Sequence, residues 1–274
     1  MKLLLFILLS WFFTLPAGAE GLPYAIARTA LPVYNSVDAA AADLPPRPDH
    51  CGQVRELEFV ALPGTPFRVV REIVSRQQLT LEVTTEAYRP PDGVRLFIPG
   101  APVTRVSAPA SRPAITLPDQ IELLRMLRSA QGLPYVWGGN LRSGVSIGTA
   151  DRLFAGLDCS GLLYEATKGY TPRNTADLVY FGQAVPIAGL NKQQLISRLR
   201  PLDLIVWKGH VLIVLDQDEV IESILHCGQP GNGGVIRTPL GQRLEEIMAR
   251  RSGVDHWPTG GGKSKLFVIR RWLP

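Results

Sequence analysis

The hydrophobic patterning of this chain changes character across residues 107–118, and that change predicts two separately packed units. On the N-terminal side, Leu57–Leu62, Phe67–Ile73, Leu79–Thr84 and Val94–Ile98 are short runs rich in β-branched residues. Turn or polar signals such as Pro63-Gly64, Ser75–Gln78 and Pro90–Gly93 separate them. Strands so short and so closely spaced predict a small all-β barrel or sandwich over residues 20–106, with Ala39–Asp49 as a proline-rich loop within it. Ser107–Pro118 has the small-residue and proline content of a linker.

From Asp119 the period turns helical. Asp119 is a candidate cap for a helix carrying Ile121, Leu124, Met126, Leu127 and Ala130, which Gly132 stops. A second helix is expected to open at Asp158-Cys159 and end near Gly169, and a third to run from Thr175 through Phe181. Strands follow at Leu204–Trp207 and Val211–Leu215, a turn at Asp216–Glu219, and further strands at Val220–Leu225 and Leu266–Trp272. Helices first and an antiparallel sheet afterwards make residues 119–274 an α+β unit.

Composition excludes several classes. With 46% hydrophobic and 19% charged residues the chain is not disordered, and its 26 glycines and 23 prolines follow no fibrous period. A net charge of +5 spread without a dense basic stripe argues against a nucleic-acid partner. Lys2, the apolar run Leu3–Phe13 and the small residues of Leu15-Pro16-Ala17-Gly18-Ala19 read as a signal peptide over 1–19, cut after Ala19. The chain is therefore expected to be exported to the periplasm, cell envelope or medium, with no stable membrane span after cleavage.

Three cysteines remain, Cys51, Cys159 and Cys227, with no C-x-x-C spacing. No metal site and no cofactor is expected; His226 beside Cys227 has no suitably spaced third ligand. Whether Cys51 pairs with Cys227 or both stay as thiols is open at this level. Cys159 stands apart. At a predicted helix N-terminus, with Asp158 as cap and Ser160-Gly161 keeping the first turn small, a sulfur gains from the helix dipole and from any imidazolium nearby. Backbone N–H groups of that turn can stabilise an oxyanion. His210, at the start of a later strand, is the candidate base. Its orienter is either Glu222 or His226, which have the same parity on the returning strand; the turn register that would choose between them is not written in the sequence.

Three stretches, Gly132–Gly139 (GLPYVWGG), Leu157–Leu162 (LDCSGL) and Leu202–Trp207 with His210-Val211, resemble the NlpC-type cell-wall peptidases, papain-like cysteine hydrolases of bacterial peptidoglycan. The resemblance covers roughly residues 119–273, and the β-rich front half is similar in pattern to a bacterial SH3-like barrel. It implies that Cys159 is the nucleophile, His210 the base and Glu222 the third polar residue, where the family more often has His, Asn or Gln. It places Tyr135 beside the nucleophile and Asp158 and Ser160 along the substrate side, and matches Arg173 to a cleft element suited to a substrate carboxylate. The longer segment Asn140–Gly156 is read as a loop over the cleft, and Trp137, Trp207 and Trp272 as packing aromatics. The implied activity is hydrolysis of an amide bond in peptidoglycan stem peptides, between D-glutamate and a diamino acid such as meso-diaminopimelate, by a monomer. A catalytically weak peptidoglycan-binding protein and an amide transferase on the same fold are the alternatives.

Overall fold

The computed structural model describes residues 22–147, 150–260 and 263–273. The signal peptide and cleavage site expected over 1–19 lie outside these residues. Among the described residues no helix is long and apolar enough to cross a membrane.

The front half is built from β1 (Tyr24–Ala27), β2 (Leu31–Tyr34), a one-turn helix α1 (Val37–Ala40), β3 (Leu57–Ala61), β4 (Pro66–Ser75), β5 (Gln78–Thr84), β6 (Leu96–Pro99) and β7 (Val103–Val106). The strands form one seven-stranded antiparallel sheet in the order β3-β2-β6-β5-β4-β1-β7. Its core gathers Ala25, Val33, Phe59, Phe67, Leu81 and Ile98, all at most 1% exposed. The sheet has three strands, β1, β2 and β7, beyond those read from β-branched runs. Four residues each, they carry too few alternations to stand out. Residues 107–118 contain no helix or strand and lie against the second half, where Arg112 donates to the Gly169 carbonyl at 2.8 Å.

The second half begins with α2 (Gln120–Ser129), capped by the Asp119 carboxylate on the Glu122 N–H. Four short strands follow: β8 (Asn140–Leu141), β9 (Val145–Ile147), β10 (Ala150–Leu153) and β11 (Gly156–Leu157), paired β8 with β11 and β9 with β10. Next come α3 (Cys159–Ala166), α4 (Thr175–Leu178), β12 (Gln183–Val185), α5 (Lys192–Arg198), β13 (Leu204–Trp207), β14 (His210–Val214), β15 (Glu219–Leu225), β16 (Gly233–Pro239), α6 (Leu240–Met248), β17 (Ser252–Gly253) and β18 (Leu266–Arg271). The main sheet runs β12-β18-β13-β14-β15-β16 with antiparallel neighbours, and β17 adds to β18 in parallel. Helix α3 packs on its centre, burying Leu162, Leu163 and Ala166, and each leucine so buried contributes at most about 1.5–3 kcal/mol.

Two expectations need correction here. The third helix stops after one turn at Leu178, because the N–H groups of Tyr180 and Phe181 bond three residues back rather than four. The segment Asn140–Gly156 is a pair of small ladders wedged between the halves: the Phe154 ring meets Tyr34 at 6.2 Å, and Arg142 bonds Glu165 near the far end of α3 at 2.8 Å. Its first residue, Asn140, lies directly against Gly161 in the first turn of α3.

Candidate active site

Cys159 is the first residue of α3, because Asp158 caps the helix in extended conformation and its Oδ1 accepts from the Gly161 N–H at 2.6 Å. That capping leaves the N–H groups of Cys159 and Ser160 without a partner among the described residues. The helix can start so close to the preceding chain only because position 161 is glycine; a Cβ there would run into the Gly139 carbonyl. Cys159 is 8% exposed, and its sulfur lies 3.9 Å from the Gly209 carbonyl.

His210 opens β14 directly after the two-residue turn Lys208-Gly209, whose glycine takes a φ of 91°. Across that hairpin it pairs with Trp207, ring centroids 5.0 Å apart. The register Ile213↔Ile221 sets Glu222 opposite Leu212, on the face that His210 also uses. Glu222 Oε2 thereby meets His210 Nε2 at 2.6 Å, leaving Nδ1 for the sulfur. His226 falls past the end of β15 into an exposed loop, so the alternative orienter is eliminated by register. Burial works against the imidazolium, but the charge and hydrogen bond of Cys159, followed by those of Glu222, hold the His210 ring up to about 9. Glu222 is 1% exposed and would be pushed up by burial, yet its bonds to His210 and Arg243 hold its carboxyl below the usual range.

Arg243 was not legible as a site residue. It comes from α6, whose Leu240, Leu244 and Ile247 face the core; that spacing was the available signal for the helix. Its fork closes on Glu222 through Nε to Oε1 at 2.7 Å and Nη2 to Oε2 at 3.0 Å. Tyr135 is half-buried, and its hydroxyl is pushed up by burial and then by the charges of Asp158 and Cys159.

Arg173 requires a correction. It is 3% exposed, and all five of its N–H donors are taken: Nε by Asn140 Oδ1 at 3.1 Å, Nη1 by Asp158 Oδ1 at 3.0 Å and Ser160 Oγ at 2.8 Å, Nη2 by Asp158 Oδ2 at 2.7 Å and the Gly139 carbonyl at 3.4 Å. No donor is left for a substrate carboxylate. Arg173 supports the first turn of α3 from behind. Asp158 and Ser160 belong to the same network, although Asp158 Oδ2 has Arg173 as its one partner among the described residues and keeps acceptor capacity. Trp137 is corrected too: at 39% exposed it is no core aromatic, and Arg55 of the front half lies over its ring at 4.5 Å.

The front half reaches this region. Gln53 accepts from the Trp137 N–H at 2.8 Å, and Tyr88, bonded to Glu58 at 2.6 Å, stands within the fields of Arg173 and Asp158. Cys51 and Cys227 form a disulfide across a sequence separation of 176 residues, joining the loop before β3 to the loop after β15. His50 lies beside them, but the two sulfurs of that cluster are bonded to each other.

No family model and no curated protein matches this chain. Among solved structures it is similar to the peptidoglycan hydrolase RipB from Mycobacterium tuberculosis, at 23% identity over 57% of this chain and 65% of that one, TM-score 0.35. It is similar to a P60 domain of an antigen from M. avium subspecies paratuberculosis, at 24% identity over 55% of this chain and 93% of that one, TM-score 0.33. It is also similar to RipD from M. tuberculosis, a non-catalytic NlpC/p60 domain protein adapted to peptidoglycan binding, at 25% identity over 44% of this chain and 92% of that one, TM-score 0.30. Likenesses of this depth leave the chemistry of the chain to its own residues.

Proposed function

We propose that the protein is an exported cysteine hydrolase that cleaves an amide bond of peptidoglycan stem peptides, the bond between the side-chain carboxyl of D-glutamate and a diamino acid. The observation that carries this reading is the alignment of Cys159 at the start of α3, the His210 ring, and Glu222 on Nε2 of that ring. The protonated ring stabilises a thiolate facing it. Sγ attacks the carbonyl carbon, and the oxyanion is met by the N–H groups of Cys159 and Ser160 in the first turn. As the C–N bond breaks, the imidazolium protonates the departing amine and a thioester remains on Cys159. The now neutral ring takes a proton from water, the resulting hydroxide attacks the thioester, and Cys159 is released with the acid product.

The substrate class follows from the resemblance of the GLPYVWGG and LDCSGL stretches to the NlpC-type peptidases. On this reading the front half, taken as an SH3-like domain, walls one end of the cleft. The Tyr88–Glu58 pair there and the Asp158 carboxylate, whose charge bears on Tyr88, favour stem peptides with a free amino end. The presence of sulfur, base and orienter in one constellation favours hydrolysis over the binding-only alternative.

Purified stem peptides of defined length, incubated with the wild type and with Cys159→Ala, test this directly. Mass analysis should show cleavage after the D-glutamyl residue with the wild type alone. Intact peptides in both reactions, or cleavage at another bond, would reject the assignment, and products joined to an added amine would identify a transferase.

A further inference from the structure

We propose that Arg243 is a positioning residue that lets a buried carboxylate orient His210 without locking the ring in its protonated form. The proposal rests on His210 acting as the base. Glu222 shares one oxygen between two cationic partners: Oε2 takes His210 Nε2 at 2.6 Å and Arg243 Nη2 at 3.0 Å, while Oε1 takes Arg243 Nε at 2.7 Å. The carboxylate is 1% exposed, so water does little to dilute its charge. With the ring as sole partner, every deprotonation of His210 would strand a bare anion in the protein, and the ring would resist giving up its proton.

A bidentate guanidinium removes that obstacle. Carboxylate and guanidinium sum to zero charge, so toward the ring Glu222 behaves like a neutral acceptor while keeping the directionality of a carboxylate. This accounts for a glutamate where the resemblance leads one to expect His, Asn or Gln. The third nitrogen, Arg243 Nη1, is tied at 2.8 Å to Glu246, one turn on in α6, which fixes the fork on its solvent side. The other groups bearing on the ring are the Cys159 sulfur from α3, whose charge also acts on Tyr135, and Arg251, stacked at 4.6 Å on the Trp207 indole that faces His210. Arg250 and Arg243 add to the field at Arg251. Among the described residues none of these others contacts Glu222, so Arg243 is its one counter-charge besides the ring.

The test compares wild type, Arg243→Gln, Arg243→Lys and the double variant Glu222→Gln/Arg243→Gln. The His210 ring is titrated by NMR, its signal assigned against His210→Asn and separated from the other histidines. Thermal midpoints are recorded alongside. Loss of the guanidinium should move the His210 midpoint upward from about 9 by roughly half a pH unit or more, and Lys should restore part of it. The double variant, which removes both charges, should bring the midpoint back to the wild-type value or below. A purely structural ion pair would lower the thermal midpoint and leave the titration of His210 where it was. An unchanged or lowered His210 midpoint in folded Arg243→Gln overturns the proposal. If that variant does not fold, a double variant titrating above wild type does the same. These titrations need no substrate, so failure to cleave stem peptides would sink the proposed function and leave this readout standing.

Discussion

Asn140 takes the place of a neighbouring strand for Val60. Its Oδ1 accepts from the Val60 N–H at 2.8 Å and its Nδ2 donates to the Val60 carbonyl at 2.9 Å, so one side-chain amide satisfies both backbone groups at the outer edge of β3. The same Oδ1 takes Arg173 Nε at 3.1 Å. The front sheet is thus tied through two side chains to Asp158 and the first turn of α3, and the position of Cys159 depends on a contact made in the other half of the molecule.

Replacing Asn140 with Ala should cost about 3 kcal/mol or more, since it orphans both backbone groups of Val60 and one donor of a buried arginine, each worth about 1–3 kcal/mol. Urea unfolding followed by tryptophan fluorescence would measure it. A midpoint equal to wild type would show that the tie carries no energy.

Arg173 is expected to behave as a structural residue. Breaking its pair with Asp158, whose side chains are 2% and 13% exposed, should destabilise the fold by about 3–5 kcal/mol, because the lone carboxylate is left buried. Arg173→Lys should recover little, since one ammonium cannot replace five donors fixed in a plane. A variant that keeps wild-type stability but binds substrate less tightly would return Arg173 to the cleft.

Reduction of the Cys51–Cys227 disulfide frees a loop of 176 residues in the unfolded chain. The chain-entropy model assigns such a closure about 5 kcal/mol at most. A Cys51→Ser/Cys227→Ser variant should therefore unfold well below the wild type in a thermal scan, with the two halves ceasing to melt together. Coincident transitions at the wild-type temperature would contradict the staple.

The His210 ring sets a pH dependence of stability whose sign is fixed. Its folded-state value, about 9, lies above the ordinary histidine value, so its contribution is complete below about pH 6.5 and is lost as pH rises through 9. The full amount is at most about 3 kcal/mol. Unfolding free energy should fall across that window in the wild type and fall less in Cys159→Ala, which removes the leading cause of the rise. His210→Asn should flatten the slope. Glu222 acts in the opposite direction: held below its ordinary range, it withdraws stability as pH falls through the carboxylate range. A slope that survives His210→Asn intact would assign the effect to another group.

Residue order alone was enough for whatever neighbouring residues settle between themselves. Asp158 before Cys159-Ser160-Gly161 fixes a capped helix start, because a short acceptor reaches an amide three residues on whatever lies beyond it. The β-branched runs fixed β3 to β6, and alternation narrowed the orienter of His210 to Glu222 or His226. Tertiary structure alone decided between those two, through the pairing of Ile213 with Ile221. It decided that Arg173 faces inward and Trp137 outward, that Arg243 comes from α6 to Glu222, and that Cys51 meets Cys227. The reason is one of range. Caps and periodicities are set by hydrogen bonds and burial within a few residues, whereas the partner of a long polar side chain is whichever group the packing of distant elements carries into its reach.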